Sequence, residues 1–170
     1  MTNSLTIESV KNIIIESDYK SSLKKKLYFS DPSISKLLDY EVIPVFDNKK
    51  SGFLLLQVGD AEEYIAVRFE SIKMKANSTT GRRTPVICDL CFTWQSGQSI
   101  SRITFYSSKK NGNSVSLLCC GNLICSLHVR KLTETSVESQ SQLRESLDEA
   151  SRIKRLRTHY SALILDTLSS

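Results

Sequence analysis

The chain has 170 residues with 23 Lys+Arg against 18 Asp+Glu, a net charge of +5 and 40% hydrophobic residues, which fits one compact globular domain and excludes a disordered class. No run of eighteen apolar residues occurs, which excludes a membrane-spanning helix. The first twenty residues lack a basic start and a small-residue cleavage site, so the expected location is the cytoplasm. The charge is uneven. Residues 71–130 carry eight Lys/Arg against Asp89 alone, a net +7, whereas residues 1–70 are at −2 and residues 131–170 are neutral. Such an asymmetry points to an acidic partner surface or RNA near that segment.

Thr6 is placed to cap a first helix with Glu8 in its first turn, and Ile7, Val10, Ile13 and Ile14 give it one apolar face. Lys20 to Lys26 reads as a short basic second helix. Asp31-Pro32-Ser33 starts another, packed through Ile34, Leu37 and Leu38. Val42 to Phe46 reads as extended, and Pro44 assigns it to a sheet edge. Phe53 to Val58 and Tyr64 to Phe69, joined by Gly59-Asp60-Ala61-Glu62, form the clearest hairpin, with Ile72 and Met74 extending a further strand. Ile100 to Tyr106 and Ser114 to Cys120 form another hairpin, with Asn111-Gly112 as its turn signal. One long helix is expected over 138–168, with Leu143, Leu147, Ala150, Ile153, Leu156, Tyr160, Leu163, Ile164 and Leu168 as its apolar stripe.

All five cysteines lie between positions 88 and 125. A disulfide scaffold would spread and pair them, so the cluster favours metal in a reducing compartment. Cys88-Asp-Leu-Cys91 brings two thiolates onto one tight turn, and Cys120-Gly-Asn-Leu-Ile-Cys125 returns two more from across the hairpin. Four sulfurs can then surround one tetrahedral Zn²⁺. Cys119 and Cys120 are neighbours on a strand and face opposite ways, and the Cys120 to Cys125 interval is a normal zinc spacing. Cys120 is therefore the expected ligand and Cys119 a small core hydrophobe. Knuckle, hairpin, then a cysteine pair entering a helix is the order of a treble-clef module. Four thiolates close the site, so the zinc is expected to be structural. Of the two histidines, His128 and His159, His128 stands three positions after a ligand and is expected to pack or lie on the surface rather than bind the metal. With no G-x-S-x-G, phosphate loop or HExxH in the chain, no enzyme activity is expected.

Gly112-Asn-Ser-Val115, followed by Cys120-x₄-Cys125-Ser-Leu-His-Val-Arg130 and preceded by Arg82-Arg83 and the Cys88–Cys91 pair, resembles the signature of the FBP domain. That domain is the zinc domain of elongation factor G-binding proteins, which include the FusB-type fusidic-acid-resistance proteins. The resemblance implies a four-cysteine zinc module, binding to elongation factor G or another translation factor, and action on ribosome-bound factor. The sequence departs from the family's usual residues at Ser116, Cys119, Gly121-Asn122 and His128, none of them a ligand.

The combined expectation is a single α+β domain over 1–170: a lead-in over 1–80, antiparallel hairpins with a zinc module over 82–130, and the C-terminal helix. Arg82, Arg83, Lys109, Lys110 and Arg130 are the expected partner-binding charges. Phe92, Trp94, Phe105 and Tyr106 are the expected aromatic anchors. The alternative partner is ribosomal RNA bound by the same basic module. Neither a membrane nor a small-molecule substrate is expected.

Overall fold

The computed structural model describes residues 5–28, 32–60, 62–76, 79–81 and 84–168. Helix α1 (Ile7–Glu16) begins where Thr6 Oγ1 accepts the Ser9 amide at 3.1 Å, satisfying one of the free amides of the first turn. Its buried stripe is Val10 and Ile14. Lys24, in a short 3-10 turn (Ser21–Lys24), donates to the carbonyls of Ile15 at 2.8 Å and of Ser17. It thereby places a cation at the negative end of α1. Helix α2 (Pro32–Ser35) follows.

Five antiparallel strands make the main sheet: β1 (Val42–Asn48), β2 (Ser51–Gln57), β3 (Tyr64–Lys73), β6 (Ile100–Tyr106) and β7 (Ser114–Cys120), in the order β1-β2-β3-β6-β7. Pro44 sits on the edge strand β1, where its missing N–H costs no ladder bond. The β2–β3 hairpin pairs Leu55 with Ala66 and turns through Gly59 at φ +61°, a left-handed conformation that favours glycine. Ile72 does not start a further strand. It prolongs β3, which reaches Lys73 because β6 pairs with it along Arg68–Lys73.

Side-chain alternation divides the core in two. Leu54, Leu56, Val67, Phe69, Ile103 and Phe105 face the C-terminal helices, while Ile43, Val45, Phe53, Leu55 and Ala66 face α1. Strand β2 is buried on both faces, so Phe53-Leu54-Leu55-Leu56 is an unbroken apolar run.

The β6–β7 hairpin forms, but Asn111-Gly112 is not a two-residue turn. Neither residue has a positive φ, and the strands are joined by a wider loop closed by Ser107 N–H on Asn113 O at 3.0 Å. Gly112 is required there by space, since a Cβ would lie 2.3 Å from the Ser107 side chain.

The C-terminal helix starts later than the periodicity predicts. Residues 134–168 form two helices, α4 (Glu134–Leu143) and α5 (Glu149–Leu168), separated where Arg144 adopts a left-handed φ of 49°. Each has its own start signal. Thr133 and Ser136 form a reciprocal capping box, and Asp148 Oδ1 accepts the Ser151 amide at 2.8 Å. The buried stripe of α5 is Leu156, Tyr160 and Leu163, with Ile153 and Ile164 beside it. Leu147 lies outside it at 40% exposure. No described helix is long and apolar enough to cross a membrane.

Candidate metal centre

Two short strands, β4 (Val86–Ile87) and β5 (Trp94–Gln95), pair with each other and hold the Cys88–Cys91 turn between them. Cys88 N–H donates to Thr93 O at 3.0 Å and Phe92 N–H to Cys88 O at 2.9 Å. Phe92 closes the turn at φ 59°, which aims both sulfurs inward. Cys120 is the last residue of β7. The chain then turns, with Leu123 N–H on Cys120 O at 3.0 Å, and Cys125 opens helix α3 (Cys125–Val129).

The four sulfurs of Cys88, Cys91, Cys120 and Cys125 lie within 4.8 Å of one another, and all four residues are buried. Cys88 to Cys125 is 4.0 Å and Cys91 to Cys120 is 3.5 Å. Zinc–sulfur bonds of about 2.3 Å in a tetrahedron place sulfurs about 3.8 Å apart, so the spacing fits zinc. The electrostatics agree. Burial alone would raise every thiol, but hydrogen bonds from the neighbouring cysteines hold Cys88 well below the ordinary thiol range. Against the same burial, hydrogen bonds from Cys120 and Cys125 help bring Cys91 down to about 7. Burial pushes Cys120 well up, and hydrogen bonding to Cys120 and its neighbours, with burial, does the same to Cys125. Four thiols this close cannot all ionise alone, and a divalent cation is the charge that lets them do so. The donor set fits a structural zinc site.

Cys119 is also fully buried and adjoins Cys88. The hydrogen bond to Cys88, then burial, keeps its thiol well above the ordinary range. It stays outside the four-sulfur group.

Four neighbours of the site carry roles that the spacings alone do not assign. Asp89 N–H donates to Leu118 O at 2.8 Å, and Asp89 Oδ2 accepts the Leu118 amide at 2.7 Å. The turn is thereby stitched to the outer edge of β7, covering part of an otherwise open strand. His159 Nδ1 lies 3.2 Å from Leu90 O, so α5 buttresses the turn from behind. Gln95 and His128, 1% and 4% exposed, converge on Cys120. The only sequence signal for any of these is the position of His128 three residues after Cys125, one helical turn on.

The expected partner-binding residues are scattered. Phe92 is 39% exposed beside the turn, its ring 4.9 Å from that of His159 and 4.8 Å from the Arg155 guanidinium. Trp94 is half-buried, and its amide donates to Ser139 Oγ at 2.8 Å. Lys109 and Lys110 are exposed in the β6–β7 loop, at the opposite end of β7 from Cys120, about 20 Å away at the usual rise of a strand. Arg82 and Arg83 lie outside the described residues.

Arg130 is committed internally. Its two terminal nitrogens each donate to Glu41 at 3.0 Å, one also to Ser126 O at 2.8 Å, and its guanidinium stacks 4.4 Å from the Tyr40 ring. Phe105 is fully buried in the core, and the half-buried Tyr106 donates through its hydroxyl to Glu70 at 3.1 Å. Arg130 and Phe105 are therefore scaffold rather than free surface.

A buried four-thiol cluster set between a knuckle, a hairpin and a helix N-terminus defines a treble-clef zinc protein of α+β architecture. The chain matches the family described as FBP C-terminal treble-clef zinc-finger over residues 46–166, more than half its length, and belongs to that family. No curated protein and no solved structure matches it significantly.

Proposed function

We propose that this chain is a non-catalytic cytoplasmic binding module whose partner is a translation factor, elongation factor G in the first place, and that it acts on factor bound to the ribosome. The observation that carries this reading is the family match over residues 46–166. A closed, buried four-thiolate zinc has no open coordination position for Lewis-acid or hydroxide chemistry. Zinc here fixes shape. The partner surface centres on Phe92, a ring displayed by the metal turn and flanked by Arg155 and His159, the kind of aromatic anchor that dominates interface energies. The exposed Lys109 and Lys110 add positive charge that speeds association with an acidic partner at low salt.

The test is titration of the zinc-loaded protein against purified elongation factor G and against ribosomal RNA at several salt concentrations. Saturable binding to the factor is expected, with Phe92→Ala weakening it by about 2 kcal/mol and a Lys109/Lys110 charge reversal by less. RNA binding with a steep log–log salt slope, and no binding to the factor, would sink the proposal and favour the RNA-binding alternative.

A further inference from the structure

A zinc ion with four thiolates carries a formal charge of −2, and here all four cysteines are buried, at 0–2% exposure. Charge in such a place needs hydrogen-bond donors around it. Two side-chain nitrogens reach a sulfur of the cluster closely among the described contacts, and both reach the same one. Gln95 Nε2 donates to Cys120 Sγ at 3.2 Å, and His128 Nδ1 lies 3.1 Å from it. His128 Nδ1 is 3.8 Å from Cys91 Sγ and 3.5 Å from Gln95 Nε2, so the two side chains close over one edge of the cluster.

Their positions are set by the fold. Gln95 is the last residue of β5, directly beyond the metal turn, and His128 stands one turn along α3 from Cys125. At the opposite sulfur, Cys88, the neighbour is the Cys119 thiol, a weaker donor than an amide or imidazole N–H.

We propose that Gln95 and His128 are positioning residues that hold the zinc-bound Cys120 thiolate by convergent N–H···S hydrogen bonds, and that zinc retention depends on them. His128 does so as the tautomer carrying its proton on Nδ1. The proposal gives it a supporting role and not a ligand's, because the four sulfurs complete a tetrahedral set without it. The inference rests on the reading of the cluster as a zinc site.

The experiment measures zinc release from the full chain to excess chelator with a colorimetric zinc indicator, together with the absorption spectrum of the Co²⁺-substituted protein. His128→Phe keeps a ring and removes the donor. His128→Asn returns an amide N–H near the position of Nδ1, and Gln95→Glu keeps the shape while replacing the donor with an acceptor. His128→Phe and Gln95→Glu are expected to weaken zinc affinity by about 10–100-fold, the usual loss for an outer-shell partner. His128→Asn should stay close to the unchanged protein, and all should keep a four-thiolate Co²⁺ spectrum. Should His128→Phe fail to fold, the contrast between Gln95→Glu and the unchanged protein still decides. Zinc retention in Gln95→Glu and His128→Phe equal to that of the unchanged protein would overturn the proposal. So would a three-thiolate, one-nitrogen Co²⁺ spectrum in the unchanged protein, which would make His128 a ligand. A chain that binds no zinc at all would instead refute the zinc reading on which the proposal stands.

Discussion

Replacing Arg130 by Ala tests whether the zinc module is welded to the sheet or merely laid against it. Glu41 precedes β1, and its side chain is 1% exposed; that of Arg130 is 16% exposed, and the pair is bidentate at 3.0 Å. Arg130→Ala leaves a buried carboxylate without its cation, a loss of about 3–5 kcal/mol for broken buried pairs. Glu41→Gln is milder. The cation it leaves keeps the Ser126 carbonyl and the Tyr40 ring, and the new amide oxygen still accepts, so about 1–2 kcal/mol is expected. The two single variants are therefore unequal, and the double variant should recover part of the Arg130→Ala loss because the stranded charge is gone. The assay is urea unfolding at fixed excess zinc, followed by far-UV circular dichroism, with metal content checked for each variant. A loss below about 1 kcal/mol for Arg130→Ala would put the pair in the class of surface ion pairs. Arg130 would then be free surface rather than scaffold.

Three further outcomes are expected. Arg144→Gly should stabilise the chain by about 1 kcal/mol, because glycine carries no penalty at the left-handed φ of 49° between α4 and α5; a destabilised variant in thermal unfolding would show that the Arg144 side chain matters more than its backbone. Burial pushes the Tyr160 hydroxyl up to about 12. Its proton is thus held more tightly in the folded chain, so its contribution to stability is present below pH 10 and lost as pH rises through about 12. Titration at 295 nm should show a high component that Tyr160→Phe removes, and ordinary titration of every tyrosine in the native protein would refute this. Finally, Cys88→Ser, Cys91→Ser, Cys120→Ser and Cys125→Ser should each lose zinc while Cys119→Ser keeps it. Metal analysis showing Cys119→Ser empty and Cys120→Ser full would exchange their roles.

The parts of the fold legible in the sequence are those with a short-range physical signature. Thr6 marks a helix start, Pro44 marks an edge, and the run from Phe53 to Leu56 marks a strand buried on both faces. The cysteine spacings are similarly local, since two sulfurs on one turn must point to one place. The long C-terminal helix is present, but its start at Glu149 is illegible in the sequence because apolar periodicity carries through the break at the left-handed Arg144. The weak signals there were Thr133 and Asp148, both residues that cap helices. Illegible from sequence were the pairings that depend on the final packing. Nothing local says that Arg130 will meet Glu41, 89 positions away, or that Gln95 will reach Cys120. Counting Arg130 as free charge was the direct result, because a basic residue reads as available until its carboxylate is found.

The position of the cluster within the core argues about what the metal does for the protein as a whole. The four ligands belong to the same buried group as Val42 of β1, Phe69 of β3 and Tyr160 of α5. Strands β6 and β7, which deliver Cys120, continue the sheet begun by β1–β3. Helix α5 reaches the metal turn through His159 and α3 through Arg152, whose Nε donates to Val129 O at 2.7 Å. It also reaches the β2–β3 turn through Arg157, which bonds Gln57 and Asp60. Zinc therefore sits where the sheet and the C-terminal helices meet, not at the tip of an appended finger. Charge left uncompensated there is charge in the main core, whose cost is borne by every element that lines it. The proposed binding role would draw on the same geometry. The cluster fixes the turn that displays Phe92, and α5 holds that turn from behind, so the surface proposed for a partner would be preorganised.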